Sequence, residues 1–185
     1  MRILRRSIVL SLCFLALFGL AYPLAETGLA QALFSHQANG SLGPDGSASI
    51  GQVWHGTKWF HGRPGAYNGE ESGPSNLGPR SRKLEEEVAK RRAKWLARGV
   101  QPTAELVTGS GSGLDPDISP ASAYAQVPMV AKARHLSSVA LDQLVKHQVH
   151  GRLLGFLGAP YVNVLSLNEA LARLVERGGA RSAAS

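Results

Sequence analysis

Residues 2–24 read RILRRSIVLSLCFLALFGLAYPL, and this stretch decides how the rest of the chain is organised. Positions 7–24 carry no charged side chain, while Ile8, Val9, Leu10, Leu12, Phe14, Leu15, Leu17, Phe18 and Leu20 supply large apolar groups. As a helix this run is about 27 Å long, enough for the hydrocarbon core of a bilayer. Those nine side chains favour insertion by about 3 to 5 kcal/mol, with no charge set against them. Arg2, Arg5 and Arg6 precede the run and Glu26 follows it, so the positive-inside rule predicts a cytoplasmic N-terminus and an outward-facing domain. The pattern alone leaves a cleaved signal peptide open, because Ala30-Gln31-Ala32 has the small residues of a cleavage site. Arg5-Arg6-Ser7 also has a faint twin-arginine character.

Outside the apolar run, composition excludes more than it assigns. The 185 residues carry a formal charge of +7. Three of the arginines lie before the membrane segment, which leaves 17 basic against 13 acidic residues after it. The excess is local, because Arg80, Arg82, Lys83, Lys90, Arg91, Arg92, Lys94 and Arg98 face only Glu85, Glu86 and Glu87 in the same segment. No zinc-finger spacing or aromatic-interleaved basic stripe accompanies that charge, so nucleic acid is not an expected partner. The basic segment could rest on anionic lipid headgroups, although a solvated helix face is the plainer reading. Cys13, the one cysteine, sits within the apolar run, so the outer domain has no internal disulfide and must be stabilised by packing.

Helical spacing of Leu24, Leu29, Leu33 and Phe34 carries the first helix on toward Asn39-Gly40. Residues 41–67 are rich in Gly, Ser and Pro, with brief strands expected at 50–54 and 59–60. After a loop at 68–79, a helix is predicted over 82–97, ended by Gly99 and supported by Glu86–Lys90 and Glu87–Arg91 pairs. A short strand is predicted at 105–108. Ser119 then caps a helix whose first residue is Pro120, and Pro128 should break or kink it. A helix over 138–150, a strand over 162–165 and a last helix over 167–176 follow, with a disordered tail at 178–185. The expectation is an α+β fold: cytoplasmic residues 1–6, one transmembrane helix at 7–25, and a single extracytoplasmic domain at 26–177 with a small sheet and several helices. Trp54, Trp59, Phe60 and Trp95 are expected to cluster in its core.

Catalytic motifs fail their own tests. The loop Gly109-Ser110-Gly111-Ser112-Gly113 is followed by Leu114-Asp115, whereas a phosphate-binding loop needs a terminal Gly-Lys-Ser/Thr. Neither serine has glycine two positions away on both sides, as a hydrolase nucleophile elbow requires. Asp115, Asp117 and Ser119 open like a calcium loop, but Pro120 occupies the glycine position and Gln126 that of the closing glutamate. His147 and His150, with His55 and His61 elsewhere, offer no third ligand for a transition metal and read as surface residues. No catalytic residue, metal or directly bound cofactor is expected.

A family resemblance rests on motifs spread through most of the chain. They include Tyr22-Pro23-Leu24, Gln37-Ala38-Asn39-Gly40-Ser41, Ile50-Gly51-Gln52 and Gly62-Arg63-Pro64. Further along come Ser110-Gly111-Ser112-Gly113-Leu114-Asp115-Pro116, Ile118-Ser119-Pro120, Gly155-Phe156-Leu157-Gly158 and Val162-Asn163-Val164-Leu165. Through these stretches the chain resembles the KdpC family, the C subunits of the Kdp high-affinity potassium pump. It departs from the family pattern at Asp117, Met129, Ser35 and Pro74, where histidine, arginine, proline and glycine are usual. The resemblance implies a retained N-terminal anchor in the inner membrane. It also implies a non-catalytic role in a P-type complex that handles ATP and potassium, with a channel-like A subunit, a catalytic B subunit and a small F subunit as partners beside membrane lipid. Such C subunits are described as stabilising the complex and raising the ATP affinity of the catalytic subunit. An outward-facing domain cannot touch cytoplasmic nucleotide, so that influence must pass through the helix or the partners. The alternative is a secreted or anchored binding domain of unknown ligand. Docking or cation attraction is assigned to Gln37, Asn39, Ser110, Ser112, Asp115, Asp117 and Ser119, the two aspartates raising cation concentration at the potassium entrance.

Overall fold

The structure is a computed structural model and describes residues 1–183. It divides into two compact units, Met1–Leu42 and Gly43–Ser185. In the first, α1 (Arg2–Leu33) is a single helix with no buried residue and a mean hydropathy of 2.3 over its most apolar window, long and apolar enough to cross a membrane. A π-turn at Leu17–Ala21 interrupts its regular hydrogen bonding. Pro23 lies two residues beyond it, and because proline has no N–H and its ring crowds the carbonyl four residues back, the wider turn accommodates it without ending the helix. The helix predicted to continue toward Asn39-Gly40 is broken at Phe34, whose φ is −139°, and a separate short α2 (Ser35–Ala38) carries the chain to Asn39 and to Gly40 at φ +84°.

The second unit is α+β. The two-residue strand β1 (Leu42–Gly43) straddles the chain boundary between the units, β2 (Gly46–Ser47) follows it, and irregular chain then runs to α3 (Arg82–Ala97). The turn α4 (Ala104–Val107), strand β3 (Asp117–Ile118), helices α5 (Pro120–Arg134) and α6 (Ser138–Gln148), strands β4 (Val149–His150) and β5 (Tyr161–Asn163), and helix α7 (Val164–Ala183) complete it. The sheet has order β3-β5-β4 and both pairings are antiparallel, with Ile118 and Val149 each opposite Val162. Ile118 and Val162 are fully buried and meet Val127 and Val130 of α5, Leu141 and Val145 of α6, and Leu167 and Leu171 of α7 in one core. The i, i+4 spacing of Leu141 with Val145, and of Leu167 with Leu171, is what puts each pair on one face.

Several elements differ from the sequence pattern for identifiable reasons. The strands predicted at 50–54 and 59–60 do not form. Phe60 is buried, but its backbone N–H and C=O are taken by the side chain of Asn168, at 2.9 Å each, and those of His61 by Gln126, at 2.8 and 3.0 Å. Two side-chain amides thus replace the ladder a strand would have used. The apolar run 105–108 is the single helical turn α4, whose Leu106 and Val107 reach the core. Pro128 lies inside α5, which continues to Arg134, while Ser119 caps it as predicted. In α3, Arg91 pairs with Glu87 at 2.9 Å, but Glu86 pairs backward with Arg82 at 3.5 Å and not with Lys90. Helix α7 begins at Val164 and runs past Glu176 to Ala183; the end of the predicted tail, residues 184 and 185, lies outside the described residues. Phe60 and Trp95 are buried, and Trp54 and Trp59, with rings 5.0 Å apart, pack against the same core.

Candidate functional site

The Gly-Ser loop connects α4 to β3 and is held from three sides. Internally, Ser110 Oγ accepts from Gly113 N at 2.9 Å and Ser112 Oγ accepts from Leu114 N at 3.1 Å. Both hydroxyls are thereby turned onto the loop's own amides, so the serines shape the loop and are not aimed outward as a nucleophile is. From outside, the irregular segment 43–81 wraps against it: Gly51 N donates to Leu114 O at 2.8 Å, and Gly73 N and Ser72 Oγ donate to Ser112 O at 2.8 and 3.1 Å. Contact is tight enough that a Cβ on Gly65 would lie 2.4 Å from Gly113 O, and one on Gly51 would lie 2.6 Å from Asp115 O. Gly51 and Gly65 are therefore sites of backbone-to-backbone approach, where a side chain has no room.

Arg63 ties the two segments together. Its Nη2 donates to Gly109 O at 2.9 Å and its Nη1 meets Asp115 Oδ2 at 3.4 Å. The other Asp115 oxygen accepts from Asp117 N at 3.1 Å. Asp115 thus faces a guanidinium that offsets part of its charge. Asp117 is bound as well: Asn163 Nδ2 donates to its Oδ1 at 2.9 Å and to Ala48 O at 3.0 Å. Burial pushes the Asp117 carboxyl above the ordinary aspartate value, the Asn163 hydrogen bond works the other way, and the charge on Asp115 adds to the rise. Beneath Arg63, Tyr67 donates its hydroxyl to Arg63 O. Burial raises that phenol to about 12, helped by Asp115 and opposed by Arg63.

Ser119 also has an internal role. Its hydroxyl donates to Glu105 Oε2 at 2.6 Å, as does Ser122, and its amide donates to the same oxygen at 2.8 Å. Burial by itself would raise Glu105, but these hydrogen bonds and the nearby Arg63 outweigh it and hold the carboxyl below its ordinary value. Of the seven sequence-assigned residues, Ser110, Ser112, Asp115, Asp117 and Ser119 lie in this one assembly. Gln37 and Asn39 belong to the other compact unit, where Asn39 and Gln31 exchange amide hydrogen bonds at 3.1 and 3.2 Å and Gln37 is exposed. Arg63, Tyr67, Glu105 and Asn163 escaped assignment. No periodicity marks such residues; their only trace is that Arg63 and Asn163 fall within the motifs Gly62-Arg63-Pro64 and Val162-Asn163-Val164-Leu165.

Beside the assembly, the 52–75 segment and α3 enclose a groove of about 660 Å³. Arg63, Arg91, Lys94 and Arg98 line it against one carboxylate, Glu71. Arg91 is occupied by Glu87 and by Val107 O at 3.1 Å, and Arg98 stacks on Trp95. His61, half-buried at the groove wall and not a surface residue, is pushed below the usual imidazole range by burial, while a hydrogen bond with Gly56 O opposes that shift. No group of three His, Cys, Asp or Glu side chains able to hold a metal exists among the described residues. Most of these polar groups fix loops, although Arg63 Nε is buried without a hydrogen-bond partner, and among the described residues the assembly places no paired acid and base around an open reacting position.

A family profile described as KdpC, K+-transporting ATPase, c chain, matches residues 4–173. The chain belongs to the KdpC family. Its relatives include the potassium-transporting ATPase KdpC subunit of Bradyrhizobium diazoefficiens, 49% identical across 94% of this chain and 98% of that one. The corresponding subunit of Methylobacterium nodulans is 47% identical across 92% and 96%. That of Caulobacter vibrioides is 49% identical across 91% of each. The KdpC match takes in both α1 and the Gly-Ser assembly, so the helix and the domain are parts of one family unit. Membership and the apolar α1 together agree with a membrane location.

Proposed function

We propose that this chain is a non-catalytic accessory subunit of a potassium-transporting ATPase, anchored by α1 with its N-terminus in the cytoplasm and its domain outside. What carries the reading is the near full-length match to chains named as KdpC subunits of that enzyme. It is supported by a domain whose conspicuous polar residues are engaged in holding loops together. The subunit stabilises its complex with the A, B and F subunits. It promotes ATP binding by the catalytic subunit indirectly, since its own globular part lies across the bilayer from nucleotide. The rigid loop 109–119, together with Gln37 and Asn39, contributes to docking. Cation attraction narrows to Asp117, because Arg63 offsets Asp115; Asp117→Asn should then weaken potassium affinity at low ionic strength, and unchanged affinity would remove that role.

The test of the main reading is co-purification. The tagged full chain, solubilised in detergent from cells that express the pump, should bring down potassium-stimulated ATPase activity. Recovery of the chain alone, or as a soluble species without residues 7–25, would refute the assignment. The second reading, a free-standing anchored binding domain, draws on the basic groove beside α3 and is separated by the same purification.

A further inference from the structure

Between β4 and β5 the chain forms a narrow hairpin that makes no use of its own apolar side chains. Leu153 and Leu157 exchange backbone hydrogen bonds at 3.0 and 2.9 Å, and Phe156 N reaches Leu153 O at 3.3 Å. Leu153, Leu154, Phe156 and Leu157 are nevertheless 70%, 76%, 69% and 47% exposed. Burial in this chain therefore cannot be the reason for four large apolar residues at one tip. Backbone geometry sharpens the point. The two central turn residues, Leu154 and Gly155, lie at φ +53° and +82°, the left-handed geometry that a tight hairpin needs and that leucine adopts poorly. Asparagine or glycine would serve the turn better, so the position keeps an apolar side chain against the local preference. The mount is firm: the hairpin leaves β4 and enters β5, two strands of the core sheet, and His150 stacks on Tyr161 at 4.8 Å where they pair. Electrostatics add a sign. No carboxylate occurs between Asp142 and Glu169, while Lys146 and Arg152 lie in that interval and are exposed.

We propose that the hairpin 152–158 is a docking knob that inserts into an apolar, acid-rimmed pocket on another subunit of the potassium-transporting ATPase. The inference rests on the accessory-subunit reading and identifies the element that carries the contact. A small, preorganised cluster of apolar anchors with polar surroundings is the form that dominant interface contacts take, and holding it in the bound geometry beforehand lowers the ordering cost. A lipid surface would accept any apolar shape and gives no reason for a left-handed leucine. A second copy meeting tip to tip about a twofold axis would bring Arg152 and Lys146 toward their own counterparts.

The experiment places a photoreactive benzophenone side chain at position 156 of the tagged full chain, expressed with the other pump genes, and irradiates the membranes before purification. The expected product is a covalent adduct with another subunit of the ATPase, identified by mass spectrometry. In parallel, the combined variant Leu153→Ser, Leu154→Ser, Phe156→Ser should recover at least about tenfold less of the other subunits. Val139→Ser, at an exposed apolar position on α6, should recover the normal amount. Circular dichroism and membrane extraction of the triple variant should match the parent. Adducts only with lipid or with a second copy, no adduct at all, or undiminished recovery by the folded triple variant would overturn the proposal. If the unmodified chain itself recovers no ATPase subunit, the accessory-subunit reading fails first and takes this partner with it.

Discussion

Asn168 is the position at which one side chain should matter most for the domain. It is fully buried on α7, and its amide donates to Phe60 O and accepts from Phe60 N, both at 2.9 Å. Replacing it with leucine keeps the branched outline, with bulkier methyl ends, but leaves a buried N–H and a buried C=O unpaired. At about 2 kcal/mol for each orphaned group, the variant should lose about 4 kcal/mol. For a domain of this size that corresponds to a drop in Tm of about 8 to 16 °C. Asn168→Asp is the informative partner: its carboxylate still accepts from Phe60 N but offers no donor to Phe60 O, so it should not restore stability. Thermal unfolding of the full chain in detergent, followed by tryptophan fluorescence, reads the effect, because Trp59 precedes Phe60 and packs against Trp54. A loss below about 1 kcal/mol for Asn168→Leu would mean that Phe60 finds other partners, and the account of why 59–60 is not a strand would be wrong.

Gly65→Ala should destabilise by about 1–3 kcal/mol and loosen 109–113 in hydrogen exchange, since its Cβ would lie 2.4 Å from a backbone oxygen; normal protection there would refute the close approach. Arg63→Lys should weaken the same region, because a single ammonium cannot reproduce the paired contacts to Gly109 O and Asp115; chemical denaturation should show a lower midpoint. Glu105 has a folded-state pKa below its unfolded one, so its contribution is present above the ordinary carboxylate range and lost as pH falls through the depressed value; Glu105→Gln should flatten the acid limb of stability against pH. Tyr67 is shifted the other way, to about 12, so its contribution is present below pH 10 and lost as pH rises toward 12. Tyr67→Phe should remove the late phenolate step in alkaline difference absorbance, and persistence of that step would assign it to another tyrosine.

The sequence alone determined the features that depend on local order. An uncharged run long enough to span a bilayer, a serine-proline helix start at 119–120, and i, i+4 apolar spacing in α6 and α7 each express physics confined to a turn or two of chain. Family membership was likewise legible, since motif order needs no coordinates. Only the tertiary structure decided the rest, because it depends on partners far apart in sequence. Phe60 is fixed by Asn168, 108 positions away, and Asp117 by Asn163, 46 away. Asp115 is paired with Arg63, 52 positions earlier. Composition could announce that 43–81 holds many glycines, but not that Gly51 and Gly65 let backbone meet backbone. Nor could the pattern Leu153-Leu154-Gly155-Phe156-Leu157 disclose its exposure, for an apolar run reads as core until the fold shows nothing packed upon it.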